Sequence, residues 1–302
     1  MYLEAPMLHE KWLYLSFQNK NYSGHLGLVH EAIWGGATKI FGSQPTSFED
    51  YLRVFFLLSG SPSATTKEQT NALGNHLGMW DVGIWVQKSS YDYHLYLQHP
   101  FEDQSGARWL LNYPDGLWGL SIHSKNKKAG VTDFLVELLY TMHQSGAEEV
   151  SDSTYGWDDY YNNYLYRGGW VYKGKVIGNP MLTLGQNEIR DWTHIVNNRI
   201  IALHFGIEGH ISTHFQYKIL LTYSKNYGNY HDRDRSKKRG IEYNYGDGLS
   251  QLSYRVDLKS NNLLSKKNII ATLSWIGDSG ELYNNSKMIM IGIEWYYSKA
   301  TN

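Results

Sequence analysis

The segment Thr213-His-Phe-Gln-Tyr-Lys-Ile-Leu-Leu-Thr-Tyr223 alternates between two kinds of side chain. The apolar set contains Phe215, Tyr217, Ile219, Leu221 and Tyr223. Because successive side chains of a strand point to opposite faces, one face of this segment is apolar, with aromatic rings near both ends and an aliphatic middle. Strands that cross a bilayer have this pattern, since their aromatic rings lie at the two membrane interfaces. The segment therefore predicts a membrane-crossing strand.

The same alternation recurs along the chain. The clearest further examples are residues 80–86, 91–97, 134–140, 201–211, 252–258, 269–275 and 289–295. Further strands are predicted at 11–18, 22–35 and 107–113 with 116–124, and a weaker one around 171–184. The connections are rich in Gly, Asn, Asp and Ser, which favour turns. We therefore expect about twelve strands, several of them as long as the roughly 9–11 residues that a tilted crossing of the bilayer needs.

One segment has helical rather than alternating spacing. Ser47 precedes apolar residues at 51, 54, 55 and 58, and Asp50 stands three positions after it, as in a capping box. This predicts a short helix near 47–58, packed under an end of the sheet or, alternatively, acting as a plug. The polar stretch 60–71 predicts a loop.

The composition supports the same fold class. Aromatic residues make up 15% of the chain, with 25 Tyr and 11 Trp, while mean hydropathy is −0.48. A transmembrane barrel combines interfacial aromatic girdles with a polar interior, and this accounts for both values. We expect an all-β, antiparallel, up-and-down transmembrane β-barrel of about twelve strands, forming a single domain over residues 1–302. The alternative is a large soluble lectin-like sandwich of two stacked sheets.

Charge and cysteine content exclude several classes. The formal net charge of −1 gives no general attraction to nucleic acid, so we expect no nucleic-acid partner. The basic run 231–239 is interrupted by Asp232 and Asp234 and predicts a solvated loop. The absence of cysteine excludes disulfides and thiolate metal sites.

The first residues do not resemble a signal peptide, and no apolar run is long enough for a transmembrane helix. Either the chain is cytosolic or its export signal has been removed. We expect the second, with the protein in the outer membrane of a Gram-negative bacterium and outer-membrane lipid as a partner.

The candidate binding segment is Gly156-Trp-Asp-Asp-Tyr-Tyr-Asn-Asn-Tyr-Leu-Tyr-Arg-Gly-Gly-Trp170. Its rings suit the C–H faces of sugars, and its amides and carboxylates suit hydroxyl groups. We expect it to lie on the extracellular side and to contact polysaccharide, because the long loops of barrels face outward. The alternative is a lid whose Tyr and Asn side chains bond to one another. The candidate residues are Trp157, Asp158, Asp159, Tyr160, Tyr161, Asn162, Asn163, Arg167 and Trp170.

A second polar group lies in residues 97–106. His99, Glu102, Asp103 and Ser105 are of types that serve in acid/base or nucleophilic chemistry, but they lie too close in sequence to form a triad alone. We assign His99, Glu102 and Asp103 to the polysaccharide site. We expect the protein not to be an enzyme and to bind no cofactor.

The histidines do not have metal-ligand spacing. His204, His210 and His214 lie on the polar side of the predicted hairpin, and we expect them to line the barrel interior without a metal. An outer-membrane lipase or deacylase is an alternative function, with Ser124 beside His123, or Ser105 beside His99, as the candidate pairs. The G-x-S-x-G pattern that would support a hydrolase is absent.

Several motifs carry a family resemblance when they are taken in order. They are the segments 73–81, 98–106, 115–119, 140–146, 159–163 and 169–180, including Asp115-Gly-Leu-Trp-Gly119 and Asp159-Tyr-Tyr-Asn-Asn163. Together they resemble the capsule assembly Wzi family, in particular its Bacteroidetes-type members. The resemblance spans roughly residues 25–180.

The resemblance implies an outer-membrane β-barrel that helps capsular or extracellular polysaccharide to attach to, or organise on, the cell surface. It implies no enzymatic activity, and it makes the capsule export machinery a further expected partner. The family is longer and has N-terminal helices and further strands, so the strands of this chain either close into a smaller barrel or form part of a larger one whose N-terminal portion is missing. A porin-like diffusion channel is the alternative function.

Overall fold

The computed structural model describes residues 4–38, 40–146, 158–188, 190–260 and 269–295. Eleven strands form one sheet. In sheet order they are β1 (Met7–Gln18), β2 (Tyr22–Trp34), β5 (Asn75–Gln87), β6 (Tyr91–Phe101), β7 (Gly116–Ser124), β8 (Asp133–Tyr140), β13 (Ile200–His210), β14 (Phe215–Asn226), β15 (Leu249–Ser260), β16 (Ile269–Gly280) and β17 (Ser286–Trp295). Every neighbouring pair is antiparallel.

In the described parts of the connections there are three small two-stranded sheets and four helices. The small sheets pair β3 (Ala37–Thr38) with β4 (Gly42–Ser43), β9 (Val171–Tyr172) with β10 (Lys175–Val176), and β11 (Thr183–Asn187) with β12 (Arg190–Asn197). The helices are α1 (Phe48–Phe55), α2 (Thr66–Thr70), α3 (Gln104–Trp109) and α4 (Tyr230–Arg239). Within the described ranges, no helix has the length and apolar character needed to cross a membrane.

The all-β, antiparallel, up-and-down prediction is confirmed for the large sheet. Among the described residues no pairing joins β1 to β17, so closure into a barrel stays a prediction. The main sheet is one continuous layer and not the pair of stacked sheets that a sandwich requires.

The polarity of the sheet is the reverse of that in a soluble protein. Large apolar side chains point outward, and the exposed fractions of Leu15, Leu203 and Ile291 are 64%, 51% and 74%. On the opposite, inner face, the register places Glu137 beside His204, and His204 beside Thr222. The apolar residues of 213–223 thus share the outer face with those of the other strands, as the alternation predicts.

The connections differ in length between the two ends of the sheet. At one end, which we call the turn end, residues 19–21, 88–90, 125–132 and 211–214 join neighbouring strands. At the other, which we call the connection end, the links are the long ones 35–74, 102–115, 141–199 and 227–248, and the short one 281–285. The described links that are long enough to cover the inner face therefore lie at the connection end.

Helix α1 confirms the predicted capping box. The Ser47 Oγ accepts a hydrogen bond from the Asp50 N–H at 3.1 Å, and the Asp50 carboxylate accepts one from the Ser47 N–H at 3.0 Å. The helix packs on the outer face near β1, where the rings of His9 and Phe55 lie 5.4 Å apart and Lys11 Nζ donates to the Phe55 carbonyl. It therefore lies beside the sheet and not inside it.

Four predictions of local structure are wrong. Residues 107–113 form the end of α3 and a turn, because the Asp103 carboxylate caps this helix by accepting from the Gly106 N–H at 2.9 Å. The predicted strand 171–184 is reduced to β9, β10 and the start of β11, with Gly174 at a φ of +73° in the turn between the first two. The basic run belongs to α4, which Asn229 caps at its start and Gly240 ends in the left-handed region. The predicted loop 60–71 also contains α2.

Gly119 provides a test of the inner-face packing. The Tyr96 ring lies so close that an added Cβ at Gly119 would overlap it. We expect Gly119→Ala to lower the free energy of unfolding in detergent by about 1–3 kcal/mol, through displacement of this ring. Urea unfolding followed by tryptophan fluorescence measures the change. The control is Gly130→Ala, where no atom lies within 4 Å of the new methyl group. Equal stability of the two variants would contradict the packing of Tyr96.

Candidate functional site

Residues 158–188 and 190–199, which we call the inner segment, pack against the inner face of the sheet at the connection end. Val171, Leu182 and Ile195 form a buried cluster with Leu139 of β8 and Ala202 of β13. Both sheet residues also line a cavity on that face. The apolar cluster fixes the inner segment to the centre of the sheet, and its polar side chains must then be satisfied away from bulk water.

A second contact fixes the inner segment to β2. Leu165 and Tyr166 are buried against Ile33 and Phe41, and the Tyr166 hydroxyl donates to the Gly35 carbonyl at 3.3 Å. The inner segment therefore contacts the sheet at two places, at β8 and β13 and at β2.

Arg190 joins two carboxylates. Its Nη2 donates to Asp159 Oδ2 at 2.8 Å and its Nε to Asp232 Oδ1 at 2.9 Å, and all three side chains are at most 8% exposed. His194 Nε2 lies 2.7 Å from Asp232 Oδ2, and His231 Nδ1 lies 3.2 Å from Asp159 Oδ2. This group links the inner segment to α4 through charge-assisted hydrogen bonds.

The environment of these carboxylates stabilises their charged forms. Burial alone would raise the pKa of Asp159, but the hydrogen bond from His231 and the charge of Arg190 hold it well below its usual range. Burial likewise opposes ionisation of Asp232, and the hydrogen bond from His194 and the charge of Arg190 lower its pKa. Both carboxylates therefore stay ionised at neutral pH.

Tyr160 is the centre of a second polar group. Its hydroxyl donates to Asp115 Oδ2 at 2.8 Å and accepts from Asn112 Nδ2 at 2.6 Å. Asn112 Nδ2 and Ser145 Oγ also donate to Asp158 Oδ2, at 2.8 and 2.9 Å. Residues from the connections 102–115 and 141–199 thus meet around one phenol.

The carboxyl groups of this second cluster are held toward the neutral form. Burial, followed by the negative charge of Asp103, raises the pKa of Asp158 to about 7. Burial also raises the pKa of Asp115, although the backbone N–H groups of Gln144 and His143 oppose the shift. The pKa shifts of the two polar groups therefore have opposite directions. The pKa values of Asp159 and Asp232 are lowered, and those of Asp115 and Asp158 are raised.

Glu102 joins the inner segment to the end of β6, and His99 contacts the link 102–115. The Glu102 carboxylate accepts from the Tyr161 N–H, and burial followed by the charge of Asp158 raises the pKa of Glu102 well above its usual range. His99 Nδ1 lies 2.6 Å from the Asp115 carbonyl oxygen. Glu102 therefore contacts the 158–170 segment, whereas His99 contacts Asp115, whose carboxylate accepts from Tyr160. The assignment of His99 and Glu102 to a polysaccharide site stays a prediction.

The remaining predicted residues have structural contacts. Asn162 exchanges two hydrogen bonds with the backbone of Ile195, at 2.8 and 2.9 Å, in the manner of a strand partner. The Asn163 carboxamide oxygen accepts from two following backbone N–H groups. Trp170 is 2% exposed and lines the cavity on the inner face. Trp157 lies outside the described residues.

The segment 156–170 was expected to lie on the extracellular side and to contact polysaccharide. Instead, Asp159, Tyr160 and Asn162 are buried and satisfied by protein groups, many of them more than thirty positions away in sequence. The alternative was a lid whose Tyr and Asn side chains bond to one another, whereas the bonds observed run from the segment to Asp115, Ile195 and Arg190. Polysaccharide contact by these residues stays a prediction.

The accessible part of the segment is an aromatic group that the sequence did not single out. Tyr164 is 49% exposed and its ring lies 5.2 Å from that of Phe41. The Arg167 guanidinium lies 5.3 Å from the Phe41 ring and 4.2 Å from the Trp192 ring. Only Arg167 was predicted. The aromatic density around Tyr164 was visible in the sequence, whereas the approach of Phe41 and Trp192 depends on the fold.

The histidine predictions are confirmed in part. His204 lines the cavity on the inner face, with its Nδ1 2.7 Å from Thr222 Oγ1. His210 Nε2 contacts the Gln216 carboxamide at 2.9 Å, and His214 is exposed beside Thr213. In the described ranges no three His, Asp or Glu residues are placed to hold a metal ion.

Replacing Arg190 tests the first polar group. In Arg190→Met, Asp159 and Asp232 lose their cationic partner, and we expect the free energy of local opening to fall by about 3–5 kcal/mol. Hydrogen exchange of peptides covering 158–170 and α4 measures this. The control is Arg53→Met, because the Arg53 guanidinium pairs with the exposed Glu49 at 2.8 Å and such pairs contribute at most about 1 kcal/mol. Unchanged exchange in Arg190→Met would contradict the role of the group.

The raised pKa of Asp158 predicts a pH dependence. Between the unfolded pKa near 3.8 and the folded pKa of about 7, the folded form binds more protons, so protection of 158–170 should decrease as the pH rises through this window. Asp159 and Asp232 act in the opposite direction, but only as the pH falls below their usual range. Asp158→Asn should reduce the slope, as measured by hydrogen exchange corrected for intrinsic rates. Protection that rises with pH in the same window would contradict the assignment.

Comparison with known proteins completes the identification. No curated protein and no solved structure shows significant similarity to the chain. The family model of the capsule assembly protein Wzi matches residues 23–193, which include β2, the strands through β8 and most of the inner segment. That match covers more than half of the 302 residues and confirms the resemblance noted from the motifs. The chain therefore belongs to the capsule assembly Wzi family.

Proposed function

We propose that the protein is an outer-membrane β-barrel that binds or organises capsular or extracellular polysaccharide at the cell surface, without catalysing a reaction. Family membership supports a role in capsule assembly. The observation that carries the proposal is the exposed apolar outer face of the large sheet, where Leu15, Leu203 and Ile291 are more than half exposed. The inner face is mixed, and it carries Glu137 and His204 as well as Leu117 and Leu139. Such a sheet is stable where its outer face meets lipid, and closure removes its unpaired edges.

The lengths of the connections suggest an orientation. Barrels have short periplasmic turns and longer extracellular loops, so the connection end faces the outside in this proposal. The accessible group of Phe41, Tyr164, Arg167 and Trp192 then faces the capsule. Rings cover the C–H faces of sugars, and the Arg167 guanidinium can donate to hydroxyl or carboxylate oxygens. We therefore assign the outer contact surface to this group and not to Tyr160 and Trp170, which are buried.

Substitution of two rings of this group tests the proposal. We expect Tyr164→Ala combined with Trp192→Ala to reduce capsule retention on cells by about ten-fold, since each lost ring contact is worth about 0.5–1.5 kcal/mol. The measurement is the ratio of cell-bound to released polysaccharide at equal protein level. The control is Tyr91→Ala, which removes an exposed ring at the turn end. Normal retention by the double variant would refute the contact surface.

The porin alternative is disfavoured by the position of the inner segment. It lies against the inner face, with Leu182 and Ile195 buried next to Ala202. A diffusion channel needs an open water path at this place.

The hydrolase alternative has one specific observation in its favour, although not in the predicted pairs. Ser124 and His123 do not form a pair, because neighbouring residues of a strand point to opposite faces of the sheet. The Ser124 Oγ instead accepts a hydrogen bond from the Asn126 N–H at 3.2 Å. His123 instead lies 3.1 Å from Ser121 Oγ and 2.7 Å from Asp133 Oδ1, an order of groups that resembles a catalytic triad. The side chain of Ser105 lies outside the described part of the structure.

This second candidate lacks an oxyanion site on its backbone. Ser121 is in the middle of β7, whose N–H groups are used in the ladders with β6 and β8. We expect the protein in detergent to hydrolyse p-nitrophenyl butyrate no faster than its Ser121→Ala variant does. A rate that falls at least ten-fold on this substitution would favour the hydrolase over the proposed function.

A further inference from the structure

Helix α1 has an apolar side that faces away from the sheet. Within the helix, Asp50 and Val54 are buried. Phe48 and Leu52, together with Phe56 directly after the helix, are 75%, 39% and 57% exposed. Because a helix turns once in about 3.6 residues, these three side chains share one side, and Val54 points the other way, toward the sheet. A surface helix in water has polar residues on its free side, so this side of α1 fits an apolar environment.

The helix covers polar side chains on the outer face of β1. Lys11 lies on the same face as the exposed Leu13, two positions further along the strand. The Lys11 Nζ donates to the Phe55 carbonyl and lies 3.9 Å from the centre of the Phe55 ring. The buried His9 lies on this face as well, next to the rings of Phe55 and Tyr51. Without α1, these two polar side chains would be exposed in line with Leu13.

The outer face of β1 has a short apolar run. On β14 the outward side chains are apolar from Phe215 to Tyr223, a length of about 27 Å at about 3.4 Å per residue. On β1 they are apolar without interruption only from Leu13 to Phe17, a length of about 14 Å. The apolar band of a membrane barrel is about 25 Å tall and its strands are tilted by about 35–45°, so the run of β1 fills less than half of the band. The unfilled part lies toward the connection end, where α1 packs.

The charged residues of α1 are paired within the protein. Glu49 and Arg53 form an ion pair at 2.8 Å on a flank of the helix. The Asp50 carboxylate is buried and accepts hydrogen bonds from Ser47 and Ser61. A helix with separate polar and apolar sides is suited to the boundary between lipid headgroups and acyl chains.

We propose that α1 is an interfacial anchor, whose exposed side of Phe48, Leu52 and Phe56 inserts among the acyl chains of the outer leaflet. There it completes the apolar band that Lys11 interrupts on β1. The inference rests on the proposed outer-membrane location and adds a lipid contact outside the sheet. Because Phe41 belongs to the same link as α1, the anchor holds the proposed contact surface just above the lipid.

The test uses single cysteines in the full chain, which has no cysteine of its own. Leu52→Cys, and Phe48→Cys as a second position on the same side, are labelled with a fluorophore in phosphatidylcholine nanodiscs. Quenching is measured with brominated acyl chains and, separately, with iodide in the water. We expect acyl-chain quenching within about two-fold of that at Leu221→Cys on the outer face of β14, because all three sites lie in the apolar band. The control Lys237→Cys, at an exposed position of α4 at the connection end, should be quenched by iodide and not by lipid.

Lipid quenching at positions 48 and 52 below this range overturns the inference. Iodide quenching there would show that this side of α1 meets water, and protection from both quenchers would show that a protein partner or a second copy covers it. In each case, strong lipid quenching at position 221 leaves the proposed membrane location intact. A lack of lipid quenching at position 221 would contradict that location, and the inference with it.

Discussion

The ion pairs of Arg190 with Asp159 and Asp232 are the interaction on which the inner structure depends. The sheet turns its apolar side chains outward, so its interior cannot be filled by an ordinary apolar core. The inner segment fills this space with polar residues, and a buried charge is tolerated only when it is paired and hydrogen-bonded. Arg190 meets this condition for two carboxylates at once, at 2.8 and 2.9 Å. The apolar cluster around Ile195 then positions the segment against the sheet.

The second polar group has a different character. Around Tyr160, the carboxyl groups of Asp115 and Asp158 lie near one another and near Glu102 without a cation in direct contact, and burial raises all three pKa values. Hydrogen bonds from Asn112, Ser145 and backbone N–H groups partly compensate. The half of the interior around Tyr160 therefore favours neutral carboxyl groups, whereas the half around Arg190 favours ionised carboxylates. The inner segment is the element that both halves share.

The sequence predicted what depends on local pattern. The alternation in 213–223 reappears as β14, with Leu221 outward and Thr222 inward, because side-chain direction in a strand follows from position alone. The capping box at Ser47 is equally local. The wrong strand at 107–113 arose because the cap at Asp103 and the turn after α3 outweigh an apolar run that does not alternate.

The interior of the site could not be predicted in the same way. Arg190 and His194 each contact Asp232 across about forty positions, and no spacing in the sequence marks them as its partners. The 158–170 segment was recognised by its composition, but whether its polar groups meet water or each other depends on the approach of Asp115, Ile195 and Arg190. Family motifs located the segment without showing which of its side chains are buried.

The central claim is that the outer face of the sheet contacts lipid and the inner face does not. The chain has no cysteine, so single cysteines report on single sites. The most direct measurement compares Leu221→Cys with Thr222→Cys, each labelled with a fluorophore in vesicles that contain brominated lipid. The account predicts strong quenching at 221 and little at 222, because the two side chains point to opposite faces of β14. Quenching at 222 alone, or at neither position, would contradict it.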